Sequence, residues 1–180
     1  SLLKARGERI AVAETSAGGL ISAALLAVPG ASTYFVGGAI TYSARSIKAL
    51  AGLTLDELQA AGIRSSSEPY AQWLAEAVRA RHGDRVLWGL SETGAAGPGG
   101  NRYGDPSGHT CIAVVGPVQL VRTIRTGSDD RVAHMWAFAD AALAQASADD
   151  DALGSFPRLR LEEARRDGRE RMRELLDCGE

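Results

Sequence analysis

Three segments rich in small residues carry the groups that could act on a ligand. They are Glu14–Gly19, Gly30–Ser32 and Thr93–Gly108. Together with the adjoining Thr33 they supply glycine amides, the carboxylate of Glu14 and a set of hydroxyl side chains, on Thr15, Ser16, Ser32, Thr33 and Thr93. Glycine lets a backbone take positive φ and approach a ligand closely, and a hydroxyl can bind a ligand or attack it. The pattern predicts nucleophilic chemistry or anion binding in a glycine-lined site.

A serine nucleophile in these segments would need a base. The sequence has no neighbouring His–Asp pair of the kind that a serine triad requires. A lysine with a lowered pKa can serve instead, and Lys48 is the only lysine besides Lys4. Structural interpretations stay open as well, because hydroxyls beside helix starts are commonly caps. In the same way, Lys48 would be a solvated surface charge, and Tyr42, six residues earlier, would belong to the core.

The stretch from Val86 to Gly108 is the one that the other elements must position. The apolar run Val86–Leu90 is typical of a strand buried on both faces, and from Ser91 the sequence becomes glycine-rich. Open α/β proteins bind ligands at the carboxyl ends of their strands, where this loop would lie. The alternative interpretation is a long surface turn.

The remaining pattern alternates strands and helices. Periodicity and turn residues predict the end of a helix at 1–7, strands at 9–14, 34–42, 109–115 and 118–125, and helices at 18–28, 43–51, 55–61, 67–81 and 131–146. Gly116-Pro117 implies an antiparallel hairpin, and the first amides of the helix at 18–28 could hold an anion. We therefore expect an α/β fold with a mixed, mostly parallel sheet and helices on both faces. In that fold the three small-residue segments should converge.

Composition describes an ordinary globular domain. The chain has 180 residues, 45% of them hydrophobic, and a net charge of −2, so nothing in the charge favours nucleic acid or a membrane as a partner. Two cysteines and no apolar run of membrane-spanning length fit a cytoplasmic protein. The histidines are scattered, so we expect no metal site and no cofactor. We place a domain at 1–148 and a charged, helical tail at 149–180.

Several motifs resemble those of the C-terminal domain of CinA, the competence/damage-inducible protein family. The likeness runs from Arg9 to Leu143 with the motifs in family order. They are Glu14-Thr15-Ser16-Ala17-Gly18-Gly19-Leu20, Val28-Pro29-Gly30-Ala31-Ser32, Tyr34-Phe35-Val36-Gly37-Gly38, Thr41-Tyr42-Ser43 and Gly94-Ala95-Ala96-Gly97-Pro98-Gly99-Gly100.

The resemblance implies a three-layer α/β/α sandwich that forms homodimers or higher oligomers. It also implies hydrolysis of the carboxamide of nicotinamide mononucleotide to the nicotinate nucleotide and ammonia. By this likeness Ser32 matches the nucleophile and Tyr42 a tyrosine that relays or orients the proton. The glycine loop with Gly94, Ala95, Ala96 and Gly97 matches the family's substrate-binding loop, and Arg131 matches a family arginine. We also expect Glu14, Ser16, Gly18, Gly19 and His109 to bind the substrate, although His109 stands where the family has threonine.

The sequence departs from the family at the lysine expected five residues after Tyr42. That position holds Ile47, and Lys48 follows one residue later. One helical residue is a rotation of about 100°, which would turn Lys48 away from Ser32. Three explanations follow: a local distortion lets Lys48 act, His109 replaces it as the base, or the site binds without hydrolysing.

Three hypotheses about function follow from these residues. The first is an amidohydrolase acting on a pyridine nucleotide, with Ser32, Tyr42 and Lys48 as catalytic residues. The second is a nucleotide-binding module that has lost its chemistry. The third is an interaction protein whose glycine loops are only turns.

Overall fold

The computed structural model describes residues 2–147 as a five-stranded sheet with helices on both faces. The tail predicted at 149–180 lies outside the described residues, so the domain boundary stays a prediction. In chain order the elements are α1 (Leu2–Arg6), β1 (Ile10–Glu14), α2 (Leu20–Leu26), a 3-10 turn (Ala31–Thr33), β2 (Phe35–Ile40), α3 (Ala44–Ser46), a π-helical turn (Ile47–Ala51), α4 (Leu55–Ala60), α5 (Glu68–Arg81), β3 (Trp88–Ala95), β4 (His109–Val115), β5 (Gln119–Arg125) and α6 (Arg131–Ser147).

The strand order is β2-β1-β3-β4-β5. Strand β1 pairs in parallel with β2 and with β3, whereas β4 is antiparallel to both β3 and β5. Four of the five strands therefore run in the same direction, which confirms the mixed, mostly parallel sheet and the terminal hairpin. The carboxyl ends of β1, β2 and β3 meet at one edge of the sheet.

Alternate residues of β1 supply the two halves of the core. Ile10 and Val12 pack with α1, α2 and α6 on one face of the sheet. Ala11 and Ala13 pack with α5 and the segment around Ile47 on the other face. This alternation follows from the two-residue period of a strand. The sheet and the helices packed on its two faces form three layers.

Strand β3 is longer than the sequence pattern indicates. The predicted loop began at Ser91, but the strand continues to Ala95 and pairs with β4 along that length. Polar residues are tolerated there because the buried side chains of Ser91 and Glu92 have hydrogen-bond partners. The Ser91 hydroxyl donates to the carbonyl of Ala71, for example. The loop therefore begins at Ala96.

Among the described residues, none of the helices has the length and apolar character that crossing a membrane requires.

Candidate functional site

A cleft of about 350 Å³ lies at the carboxyl edge of the sheet. The loop after β1 contributes Ser16, the segment after β2 contributes Tyr42, and the first turn of α6 contributes Arg131. The end of β3 and the glycine loop form the longest wall, through Gly94, Ala95, Ala96, Gly97, Gly99, Gly100 and Asn101. Segments that are distant in sequence thus meet where an open α/β sheet binds ligands.

Arg131 supplies the charge of this cleft. Its Nη1 donates to the carbonyl of Gly97 at 2.7 Å, and its Nη2 lies 3.4 Å from the hydroxyl of Tyr42. Among the described residues that line the cleft, Arg131 alone carries a formal charge. The two contacts hold the guanidinium at the rim while other N–H groups stay free to bind an anion.

The glycine loop needs glycine at two positions in particular. A Cβ on Gly94 would lie 2.2 Å from the carbonyl oxygen of His109, so no side chain fits between β3 and β4 there. Gly97 has a φ of +96°, and a Cβ there would lie 2.1 Å from the Ser107 hydroxyl. The backbone therefore forms the surface of the cleft at these positions.

Asp105 fixes the far end of the glycine loop. Its carboxylate accepts hydrogen bonds from Arg64 at 2.6 Å and from Asn101 at 2.8 Å. Partial burial would raise the pKa of Asp105, but the bonds from Arg64 and Asn101 outweigh it and hold the pKa below its ordinary value. Asp105 is therefore a charged anchor for the loop at neutral pH.

His134 of α6 ties the same loop to the helix that carries Arg131. Its Nδ1 lies 2.7 Å from the carbonyl of Ala96, which can only accept, so Nδ1 donates. Its Nε2 lies 2.8 Å from the Ser128 hydroxyl. His134 is buried and stacks on Phe138. The sequence pattern does not single out this residue, because helical spacing alone does not distinguish a tether from a core residue.

Glu14 is a structural carboxylate and not a ligand-binding one in this arrangement. It is fully buried and accepts hydrogen bonds from the amides of Gly19, Ile21 and Ser22 at 2.8–3.0 Å. The first amides of α2 are therefore already occupied, which contradicts the prediction that they hold an external anion. Gly18 and Gly19, both with positive φ, shape this turn and do not line the cleft.

Glu92 is a second buried carboxylate, and it is not among the site residues predicted from the sequence. It accepts from the amide of Ala17 at 2.8 Å, the amide of Thr15 at 3.2 Å and the hydroxyl of Thr110 at 2.7 Å. Burial raises the pKa of Glu92 to about 7 in spite of these donors. Its position directly after the apolar run of β3 could have indicated a buried charge, but the prediction placed Glu92 in the loop.

Comparisons with known proteins agree with this architecture. The family model of the CinA C-terminal domain matches residues 1–148. The chain belongs to this family. A CinA-like protein of Prochlorococcus marinus (strain MIT 9313) is 44% identical over 116 residues, which are 64% of this chain and 26% of that protein. A CinA-like protein of Anaeromyxobacter sp. (strain K) is 38% identical over 138 residues, which are 76% of this chain and 33% of that protein. The chain thus spans about a quarter to a third of these relatives' length.

Solved structures show the same CinA fold. Competence damage-inducible protein A of Klebsiella pneumoniae superposes with a TM-score of 0.74 at 25% identity, covering 82% of this chain and 89% of that one. The competence/damage inducible protein CihA of Agrobacterium tumefaciens superposes with a TM-score of 0.72 at 27% identity, covering 81% of this chain and 87% of that one. The predicted family and fold class are therefore confirmed.

Ser32 of this CinA domain does not lie at the cleft of its own chain. It is exposed in the 3-10 turn before β2, and the amide of Ile10 at the start of β1 bonds to Tyr34 beside it. Because β2 is parallel to β1, this turn lies at the amino edge of the sheet. The six residues of β2 alone span about 17 Å. The predicted convergence of all three segments is therefore wrong for Gly30–Ser32.

Neither predicted base lines the cleft. Ile47 occupies the family lysine position and is buried in the core, which turns Lys48 towards solvent within the π-helical turn. His109 is buried, with Nε2 donating to the carbonyl of Ser66 at 3.0 Å. It lines a separate cavity of about 590 Å³ on the α5 face. Of the predicted site, the cleft brings together Ser16, Tyr42, Gly94–Gly97 and Arg131.

Proposed function

We propose that this CinA domain binds a phosphorylated pyridine nucleotide in the carboxyl-edge cleft and hydrolyses its carboxamide. The reaction that the family likeness suggests converts nicotinamide mononucleotide to the nicotinate nucleotide. A cytoplasmic location and a homo-oligomeric assembly belong to the same proposal.

The observation that supports binding most directly is the position of Arg131. The guanidinium is held by Gly97 and Tyr42 beside a wall of glycine backbone, and that wall is otherwise uncharged. A phosphate could pair with the free N–H groups of Arg131 and accept from loop amides. The neutral remainder of the cleft suits a pyridine ring.

The chemical step would use a serine hydroxyl. Its oxygen attacks the carboxamide carbon, the carbon–nitrogen bond breaks, and the amide nitrogen takes the hydroxyl proton and leaves as ammonia. Water then cleaves the acyl-serine ester and restores the hydroxyl while releasing the carboxylate. Tyr42, whose hydroxyl faces Arg131, would orient the proton transfer. Ser32 fills the role of nucleophile only if it reaches a cleft other than that of its own chain.

A second candidate function is nucleotide binding without turnover. It is favoured by one specific observation, the burial of Ile47 where the family places its lysine. A serine without a base is a weak nucleophile at neutral pH. In this case the cleft would bind the nucleotide and release it unchanged.

An assay of ammonia release from nicotinamide mononucleotide by the purified chain distinguishes hydrolysis from binding without turnover. We expect release by the wild type and its loss in Ser32→Ala, with Thr33→Ala, an exposed neighbouring hydroxyl, as the matched control. Release that persists in Ser32→Ala would rule out the serine mechanism. Saturable binding without release, followed by a gain of release in Ile47→Lys, would establish the second candidate instead.

A further inference from the structure

The second cavity, of about 590 Å³, lies between the start of α5 and the β4–β5 hairpin. Two register pairs of the hairpin form its floor, His109 with Arg125 and Cys111 with Thr123. Residues opposite each other in an antiparallel pair point to the same face, so all four side chains line the cavity. The volume lies within the range of about 300–1,000 Å³ that is typical of small-molecule sites. The cavity is therefore large enough for a ligand of its own.

Two opposite charges line this cavity without forming an ion pair with each other. Glu68, the first residue of α5, accepts a hydrogen bond from the Thr123 hydroxyl at 2.8 Å, and this neutral donor leaves its charge uncompensated. Arg125, two residues further along β5, forms no hydrogen bond or ion pair with any described residue. Residues two apart in a strand are separated by about 7 Å. The cavity thus presents a carboxylate and a guanidinium that are close together and both available to a ligand.

The other charges at this cavity already neutralise each other. Arg64 donates to the two carboxylate oxygens of Asp105 at 2.6 Å and 3.0 Å. A ligand with only a negative charge would be attracted by Arg125 and repelled by Glu68, and a simple cation would meet the reverse. A ligand with both charges satisfies both residues. An α-amino acid has this character, because it carries an ammonium and a carboxylate on one carbon.

His109 adds an unused hydrogen-bonding atom at the same cavity. It is 3% exposed, and because its Nε2 donates to the carbonyl of Ser66, the Nδ1 of the neutral ring can only accept. This buried Nδ1 has no hydrogen-bond partner among the described residues. Ser66 itself has a φ of +55°, which is rare for a residue other than glycine. A buried acceptor without a partner is costly, so a ligand group that donates to it would be stabilised.

We infer that this cavity binds a free α-amino acid with a neutral polar side chain. Its carboxylate pairs with Arg125, its ammonium pairs with Glu68, and its side chain extends towards His109 and Ser66. A neutral side chain is favoured because Arg64 and Asp105 leave no further charge to pair. Binding here does not require the proposed hydrolysis, since the described residues that line this cavity and those that line the cleft do not overlap.

Titration calorimetry of the purified chain with L-serine, L-asparagine and L-glutamine tests which charges the ligand needs. We expect saturable binding of at least one of the three, at one site per chain. The N-acetyl derivative of that amino acid lacks the ammonium and its α-carboxamide lacks the carboxylate, so each should bind at least about tenfold more weakly. Binding of none of the three, or a derivative that binds as tightly as its parent, would overturn the inference.

Variants that each remove one charge locate the binding. Arg125→Gln and Glu68→Gln should each raise the Kd for the amino acid at least about tenfold. Arg125→Gln should no longer distinguish the amino acid from its α-carboxamide, and Glu68→Gln should no longer distinguish it from the N-acetyl derivative. The matched controls are Arg122→Gln, on the other face of β5, and Glu76→Gln, further along α5, and both should keep the wild-type Kd. An unchanged Kd in Arg125→Gln or in Glu68→Gln, with wild-type circular dichroism, would refute the assigned contact.

Arg131→Ala separates this cavity from the proposed nucleotide site. It should leave the Kd for the amino acid unchanged, whereas Arg125→Gln should leave the Kd for nicotinamide mononucleotide unchanged. Loss of amino-acid binding in Arg131→Ala would place the amino acid in the cleft and contradict the inference. Amino-acid binding by a protein that releases no ammonia would contradict only the proposed hydrolysis.

Discussion

Two buried carboxylates support the cleft at the residue scale. Glu14 and Glu92 are register partners on β1 and β3, and both are fully buried. Each carboxylate accepts hydrogen bonds from backbone amides of the Thr15–Ser22 segment. Both carboxylates therefore fix the turn that places Ser16 at the cleft. Repulsion from Glu14 adds to burial in raising the pKa of Glu92. The site thus depends on residues outside its surface.

Glu14→Gln should destabilise the fold strongly. The amide nitrogen of glutamine would face the donors of Gly19, Ile21 or Ser22, so a buried set of bonds to a carboxylate would be lost. We expect a fall in the free energy of unfolding of about 2–4 kcal/mol, measured by urea denaturation. Glu57→Gln, at the exposed capping box of α4, is the matched control and should change stability much less. Equal effects would contradict the role assigned to Glu14.

Glu92→Gln should alter how stability depends on pH. The pKa of Glu92 is near 7 in the folded state and close to its ordinary value of 4.5 when unfolded. The folded state therefore binds the extra proton, and this stabilisation is present below pH 4.5 and is lost as the pH rises through 7. The stability of the wild type relative to Glu92→Gln should fall by on the order of 3 kcal/mol between pH 5 and pH 8. A difference that stays constant or grows would contradict this sign.

At the scale of elements, periodicity predicted the order and type of the helices and strands but misjudged the end of β3. Ser91, Glu92 and Thr93 are polar, and a single sequence cannot show that Ala71, Ala17 and Thr110 satisfy the first two of them. The same limit applies to α2, whose start was read as a free anion site. A carboxylate five residues upstream already occupies it, through a contact that depends on tertiary folding.

The tether between α6 and the glycine loop gives a prediction at this scale. His134→Ala removes the bonds to Ala96 and Ser128 and should lower the free energy of unfolding by about 2 kcal/mol. It should also raise the Kd for nicotinamide mononucleotide by roughly tenfold, because the loop and Arg131 lose their fixed spacing. Isothermal titration calorimetry measures the Kd, and urea denaturation measures the free energy of unfolding.

Gln145→Ala is the matched control for this tether. Gln145 bonds to the carbonyls of Ile112 and Leu120 at the other end of α6, away from the cleft. We expect a comparable loss of stability with an unchanged Kd. If both variants changed the Kd equally, the loop would be responding to general destabilisation and not to His134.

For the whole molecule, the sequence was sufficient for the fold class and for bringing about half of the predicted site residues to one cleft. The loops after β1 and β3 could be placed at one edge because parallel strands share their direction. Ser32 was placed wrongly because its segment precedes β2, whereas the prediction assumed that every small-residue turn lies at the carboxyl edge.

The most direct measurement of the central claim is a binding titration of the purified chain with nicotinamide mononucleotide. We predict saturable binding at one site per chain, a Kd about 10- to 100-fold weaker in Arg131→Ala, and an unchanged Kd in Arg125→Ala, an exposed arginine outside the cleft. The expected loss corresponds to a charged hydrogen bond between Arg131 and the phosphate. Absence of binding by the wild type, or equal affinity in wild type and Arg131→Ala, would contradict the assignment of this cleft as the nucleotide site.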